Sequence, residues 1–331
     1  MKLTRKFLGA TAVLTLTTGA ALADPALIYD MGGKFDRSFN EMAFTGATRW
    51  AEETGGEFRD IELQSEAQRE QAIRRFAESG YNPVVMTGFS MATPLEVVAA
   101  DYPDTTFVII DGVVDLPNVR SVIFSEQEGS YLVGLLAGMA TETDNVSFVG
   151  GMDVPLIRAF ACGYAQGAVA ANDDVNVIVN YTGTTPAAWN DPVRGSEITA
   201  AQISQGSDVV FAAAGGTGVG VLQRAVDDGI LSIGVDSNQN YLHPGQVLTS
   251  MMKRVDNAVF SAFESGPGME TGLHVMDLAA GGVGWADDEH NAELISDEMR
   301  AAVSSAQEAI AAGELAVHDY RSDSSCPISV E

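Results

Sequence analysis

Residues 29–47 read YDMGGKFDRSFNEMAFTGA, and the fold follows from this stretch. Ala26, Leu27, Ile28 and Tyr29 form a short apolar run of strand character that ends at Asp30. Met31-Gly32-Gly33 opens a loop, and Ser38-Phe39-Asn40 leads into a helix expected to run through Trp50. Strand, glycine-rich turn and helix in succession make the place where an open α/β sheet takes small molecules, outside the carboxyl ends of its strands. Glycines let backbone N–H groups approach a ligand, and a helix start offers donors without partners inside the helix. Phe39 brings a flat apolar face to this loop. It can stack on a ligand, or it can staple the helix start to the core.

Outward from this unit, helical patterns alternate with β-branched runs. Helix is expected over 66–79, 94–100 and 129–140, and strand over 83–86, 107–110 and 118–124, with Asp111 closing the second strand. The pattern then repeats. Strand is expected over 146–149, 175–181, 208–213 and 231–235, the last closed by Asp236. Between these strands lie a glycine turn at 150–153, helices over 156–171 and 191–205, and a glycine-rich turn plus helix over 215–227. Such alternation specifies βαβ units and mostly parallel sheets. Val84-Val85 precedes Asp111 by the interval that separates Val209-Val210 from Asp236. Two similar lobes explain that repeat, and facing lobes put Asp111 and Asp236 on opposite walls of one cleft.

After Asp236 the pattern changes to strand 247–252, Lys253, helix 255–264, a Gly266-Pro267-Gly268 break, strand 274–278, a turn at 281–284 and helix 297–312. A late strand and helix suit a chain that crosses back to the first lobe and returns. The expected division is 24–125 plus 250–274 for the N-terminal lobe and 126–249 plus 275–331 for the C-terminal lobe. Several crossings make a hinge.

Residues 1–23 carry Lys2, Arg5 and Lys6, an apolar run, and Ala21-Leu22-Ala23. That is the make-up of a secretory signal peptide cleaved after Ala23. No cysteine follows the cleavage point, so no lipid anchor is expected there, and the mature chain is expected to start at Asp24 and be soluble outside the cytoplasm. Removing three positive charges takes the formal net charge from −27 to −30. Such a surface repels nucleic acid and anionic lipid. Cys162 and Cys326 are the only cysteines of the 331 residues. In an exported protein they are candidates for a disulfide that staples the C-terminal tail to the middle of the chain.

The chemistry of several enzyme classes is missing. Residues 215–220, GGTGVG, fit neither the phosphate-loop pattern nor the dinucleotide fingerprint. There is no Cys/His cluster with zinc spacing and no G-x-S-x-G elbow. No cofactor is expected.

Five ordered motifs carry a family resemblance: SFNEMAFTG at 38–46, AAWNDPVRG at 187–195, FAAAGGTGVG at 211–220, IGVDSNQ at 233–239 and SMMKRVD at 250–256. Together they resemble the BMP family of ABC-transporter substrate-binding proteins, the purine-nucleoside receptor group. The resemblance implies a periplasmic-binding-protein type I fold, a non-enzymatic receptor that diffuses freely in the periplasm without a lipid anchor, and an inner-membrane ABC permease as partner; a monomer is expected. It places Phe39 on the purine face, Asn40 and Asp111 on the base, Asp236 and Lys253 on the ribose, and Gly215 where backbone approaches the ligand. Asp30, at the end of the first strand, joins the ligand-binding set. Phe211 and Trp189 are both candidates for the second aromatic wall. Lys253 can also pair with Asp236. Other readings are a receptor for another heteroaromatic or a sugar, and a secreted α/β enzyme such as a nucleoside hydrolase. A hydrolase needs a dense carboxylate cluster with a metal or an activated water, whereas the aspartates here are expected one per lobe.

Overall fold

The computed structural model describes residues 23–329. The expected export segment lies outside the described residues except for Ala23. In chain order the first half runs β1 (Ala26–Tyr29), α1 (Phe39–Thr54), β2 (Arg59–Glu62), α2 (Arg69–Glu78), β3 (Val84–Thr87), α3 (Ala92–Asp101), β4 (Phe107–Ile110) and β5 (Val119–Phe124). The second half runs α4 (Glu126–Ala140), β6 (Asn145–Met152), α5 (Pro155–Ala171), β7 (Asn176–Gly183), α6 (Pro192–Ser204), β8 (Val209–Ala213), α7 (Gly218–Asp228), β9 (Leu231–Asp236) and β10 (Val247–Lys253). Then follow α8 (Val255–Ser265), β11 (Gly272–Met276), β12 (Val283–Trp285) and α9 (Asp297–Ala311).

Two six-stranded sheets result, ordered β2-β1-β3-β4-β5-β11 and β7-β6-β8-β9-β10-β12. The first five positions match one for one, which is the repeat legible in the sequence. The sheets differ at the last strand: β11 lies parallel to β5, and β12 antiparallel to β10. Strands β3 and β4 are buried along their whole length, as parallel strands covered by helices on both faces must be.

Sheet pairing moves two of the expected lobe crossings. Strand β10 pairs along its length with β9 in the second sheet, and β11 pairs along its length with β5 in the first. The chain therefore crosses after Lys253 and again after Met276, rather than at 250 and 275. Strands β2 and β12 were not expected. Both are edge strands: β2 reads Arg-Asp-Ile-Glu and is mostly exposed, and β12 has three residues. Charge on an edge blocks further pairing, and it also hides the strand from a hydrophobic pattern.

Helices α4 and α5 pack almost backbone to backbone. A Cβ built on Gly167 of α5 would lie 2.0 Å from the Tyr131 carbonyl oxygen of α4, so only glycine fits there. The far side of α5 carries Cys162, which the structure joins to Cys326 by an S–S bond across Cα atoms 5.7 Å apart. Among the described residues no helix is long and apolar enough to cross a membrane.

Candidate functional site

A cleft opens between the carboxyl ends of the two sheets. Asp111 directly follows β4, and Asp236 ends β9. Both have left-handed backbones, with φ of 66° and 65°. Few non-glycine residues tolerate that region, and aspartate is one of them. The twin geometry turns each carboxylate off its strand and onto the cleft, which both residues line.

Lys253 ends β10 and is 1% exposed. Its Nζ lies 2.6 Å from Asp111 Oδ2 and 2.9 Å from Glu126 Oε1. Glu126, the first residue of α4, is fully buried, and its Oε2 lies 2.8 Å from Nη1 of Arg321. Both Glu126 contacts are ion pairs in distance without hydrogen-bond alignment. The rings of Phe39, Phe124 and Phe160 surround the ammonium at 5.2, 4.9 and 5.4 Å. The expected pairing of Lys253 with Asp236 is therefore corrected. The long lysine stem reaches the first turn of α4, where two carboxylates are in range, and Asp236 Oδ2 instead accepts from Ser38 Oγ across the cleft.

Burial dominates the electrostatics. It pushes the Asp111 carboxyl up to about 6, against the opposing pull of Lys253. It pushes Asp236 up as well, with Lys253 and the Ser38 hydroxyl opposing. On Lys253 burial acts downward, but Asp111, Glu126 and Asp236 together outweigh it and hold the ammonium above its usual range. Asp111 Oδ1 is buried and has no hydrogen-bond partner among the described residues. A buried acceptor in that state costs free energy until a donor reaches it. The floor of the cleft thus suits a ligand that brings hydrogen-bond donors.

The walls are aromatic. Trp189 lines the cleft, and its ring lies over Gly151, where a Cβ would come within 2.0 Å of it. Residues 150–152 are accordingly the end of β6 and not a turn. Phe39 lines the cleft too, as do Phe89 and Phe160, which the sequence reading missed. Phe211 does not. It is 0% exposed in the core, its ring 5.4 Å from that of Phe148 and 5.3 Å from that of Tyr164. It sits in the middle of the central strand β8, and the small Ala213 at the strand's end faces the cleft instead.

Asp30, Asn40 and Gly215 also line the cleft. The Asp30 carboxylate is engaged by Arg69, 3.0 Å from Nε to Oδ1, and by Ser90. The Asn40 amide donates to the Asp30 and Gly33 carbonyls and accepts from Thr87 Oγ1. Both residues hold the first loop in shape. Among the described residues, no group of three or more His, Cys, Asp or Glu side chains is arranged to hold a metal.

The mouth is latched by protein groups. The Arg37 carbonyl accepts from Ser237 Oγ at 2.6 Å and from Gln239 Nε2 at 2.8 Å. A typical hydrogen bond contributes about 1 kcal/mol net. Ser237→Ala combined with Gln239→Ala should therefore favour the open form by roughly 2 kcal/mol. Small-angle scattering should show a larger radius for the unliganded variant, and an unchanged radius would reject the latch.

Residues 25–318 match the family described as Bmp, ABC transporter substrate-binding protein PnrA-like. The chain is 33% identical over 241 residues to the ABC transporter nucleoside-binding protein BmpA of Lactococcus lactis, covering 68% of each chain. It is 33% identical over 258 residues to a CD4+ T-cell-stimulating antigen of Listeria monocytogenes, covering 71% of each. Among solved structures, an ABC transporter solute-binding protein from Aeropyrum pernix is similar at a TM-score of 0.81 and 28% identity, over 90% of this chain and 93% of that one.

Proposed function

The chain belongs to the Bmp family of ABC-transporter substrate-binding proteins, and from that premise we propose that it captures a purine nucleoside between its lobes and delivers it to an ABC permease. In this reading it is exported after cleavage at Ala23, diffuses in the periplasm without a lipid anchor, and acts as a monomer. One observation carries the ligand: aromatic walls stand over a floor of carboxylates in which Asp111 Oδ1 has no partner. A purine base stacks on aromatic faces at about 1–3 kcal/mol each, by the precedent of single-stranded nucleic acids. Base N–H and ribose hydroxyl groups supply donors to acceptor-only carboxylates. Phe39 and Trp189 take the faces of the base, Asp111 accepts from its edge, and Asp236 accepts from the ribose.

Denaturing the purified protein and identifying what it releases by mass spectrometry tests this directly, with inosine calorimetry as the quantitative check. Release of a sugar, or no heat with any purine nucleoside, rejects the reading. Incubation with inosine separates receptor from hydrolase, because a receptor returns the nucleoside intact.

The ionisation of Asp111 gives a pH signature. A ligand donor needs the ionised acceptor, so binding lowers this pKa and releases protons near pH 6. Affinity should fall as pH drops through about 6, and be about tenfold weaker at pH 5 than at pH 7.5. A constant affinity over that range would remove Asp111 from the contact set.

A further inference from the structure

The short turn Tyr320–Ser322 of the C-terminal segment is far from the cleft in sequence, yet it is wired to the cleft floor. Arg321 pairs with the buried Glu126 through Nη1, and its Nη2 donates to the Phe124 carbonyl at 3.0 Å and to Gln127 Oε1 at 3.3 Å. These three partners are the end of β5 and the first residues of α4, where the chain crosses between lobes. The segment is stapled to α5 on both sides of Arg321. The His318 backbone N–H donates to Gln166 Oε1 at 2.9 Å and its carbonyl accepts from Gln166 Nε2 at 3.0 Å, and Cys326 is bonded to Cys162, one turn before Gln166.

We propose that Arg321 is a positioning residue of the ligand cleft: acting through Glu126, it fixes where the Lys253 ammonium sits. Glu126 is wholly buried, with Arg321 on one oxygen and Lys253 on the other. Without the guanidinium, the ammonium is the only cation left to Glu126, and it is drawn from Asp111 toward the start of α4. Asp111 Oδ2 then loses its partner beside an oxygen that already lacks one. The contact with Asp319, at 3.0 Å and largely outside the core, keeps the guanidinium in place without competing for the buried carboxylate.

Lys253 is one of four lysines in the sequence, with Lys2, Lys6 and Lys34. Selective 13C labelling at lysine Cε therefore gives a short spectrum in which Lys253, ringed by three phenylalanines, is assigned by its loss in Lys253→Met. Arg321→Ala should shift the Lys253 signal, leave that of Lys34 in place, and weaken inosine binding by about tenfold or more. Arg321→Lys should recover most of both. Arg321→Ala combined with Glu126→Gln should return affinity to within about threefold of the original, because the uncompensated charge is gone. A merely structural tail contact would lower the urea midpoint but would not be relieved by Glu126→Gln. An unmoved Lys253 signal, or a loss that Glu126→Gln fails to relieve, overturns the proposal. The affinity readout rests on the nucleoside reading and the resonance does not. Failure of the intact protein to bind inosine rejects only that reading, and the Lys253 signal then decides alone.

Discussion

Lys253→Met should be the most damaging single substitution in the cleft. It keeps the volume of the stem and removes the charge that Asp111 and Glu126 share. Breaking a buried ion pair by deleting one partner costs about 3–5 kcal/mol, because the charge left behind has neither water nor a counter-ion. That is a large part of the stability of an ordinary domain. The loss should depend on pH in a fixed direction. Burial already pushes Asp111 up to about 6 with Lys253 opposing, so removal of the lysine raises it further. A carboxyl whose folded pKa exceeds its unfolded value favours the folded state at low pH, and that contribution is lost as pH rises through the folded pKa. Lys253→Met should therefore lie nearest the original protein at pH 5 and furthest from it above pH 7. Urea unfolding at pH 5 and pH 8 measures this, and an equal loss at both would show that Lys253 does not neutralise the buried carboxylates.

The second large effect separates base from sugar. Phe39→Ala should weaken inosine and hypoxanthine alike, each by about 1–3 kcal/mol, since it removes one stacking face from both. Asp236→Ala should weaken inosine by about 1.5–3 kcal/mol through lost charged hydrogen bonds, and hypoxanthine much less. Lys253 keeps Asp111 and Glu126 in that variant, so the loss reports the ligand contact and not an orphaned ammonium. Calorimetry of both variants with both ligands decides the orientation. If Asp236→Ala loses base and nucleoside equally, the ribose does not lie at Asp236.

The architecture was legible because its signals are periodic. Buried parallel strands read as apolar runs, and the matched spacing to Asp111 and Asp236 reflects two strand ends with the same unusual backbone. What was missed had a weaker signature. Glu126 escaped because the apolar helix was started at Gly129, although Ser125 followed by Glu126 and Glu128 is the polar start that a helix N-terminus favours. Arg321 sits in a tail without periodicity, where no pattern marks it. Phe211 and Trp189 could not be separated by motif, since the difference lies in position along the strand. A residue at mid-strand meets the core, whereas one beyond the strand's end meets the ligand. Gly150 and Gly151 read as a turn because sequence does not show that Ile157, Tyr181 and Phe148 will crowd the first and the Trp189 ring the second.

The latch at Arg37 has a kinetic consequence. Its bonds run between protein groups alone and need no ligand to form. The receptor is then an equilibrium of forms, and only the open fraction can admit substrate. Every tenfold shift toward shut-but-empty molecules slows capture about tenfold, while the same bonds slow release from the shut, loaded form, so the latch changes rates more than affinity. Idle shut molecules would also compete with loaded ones for the same permease. Supply at scarce substrate is thus set by the strength of two hydrogen bonds to one carbonyl as well as by the cleft, and weakening them should speed capture while shortening retention.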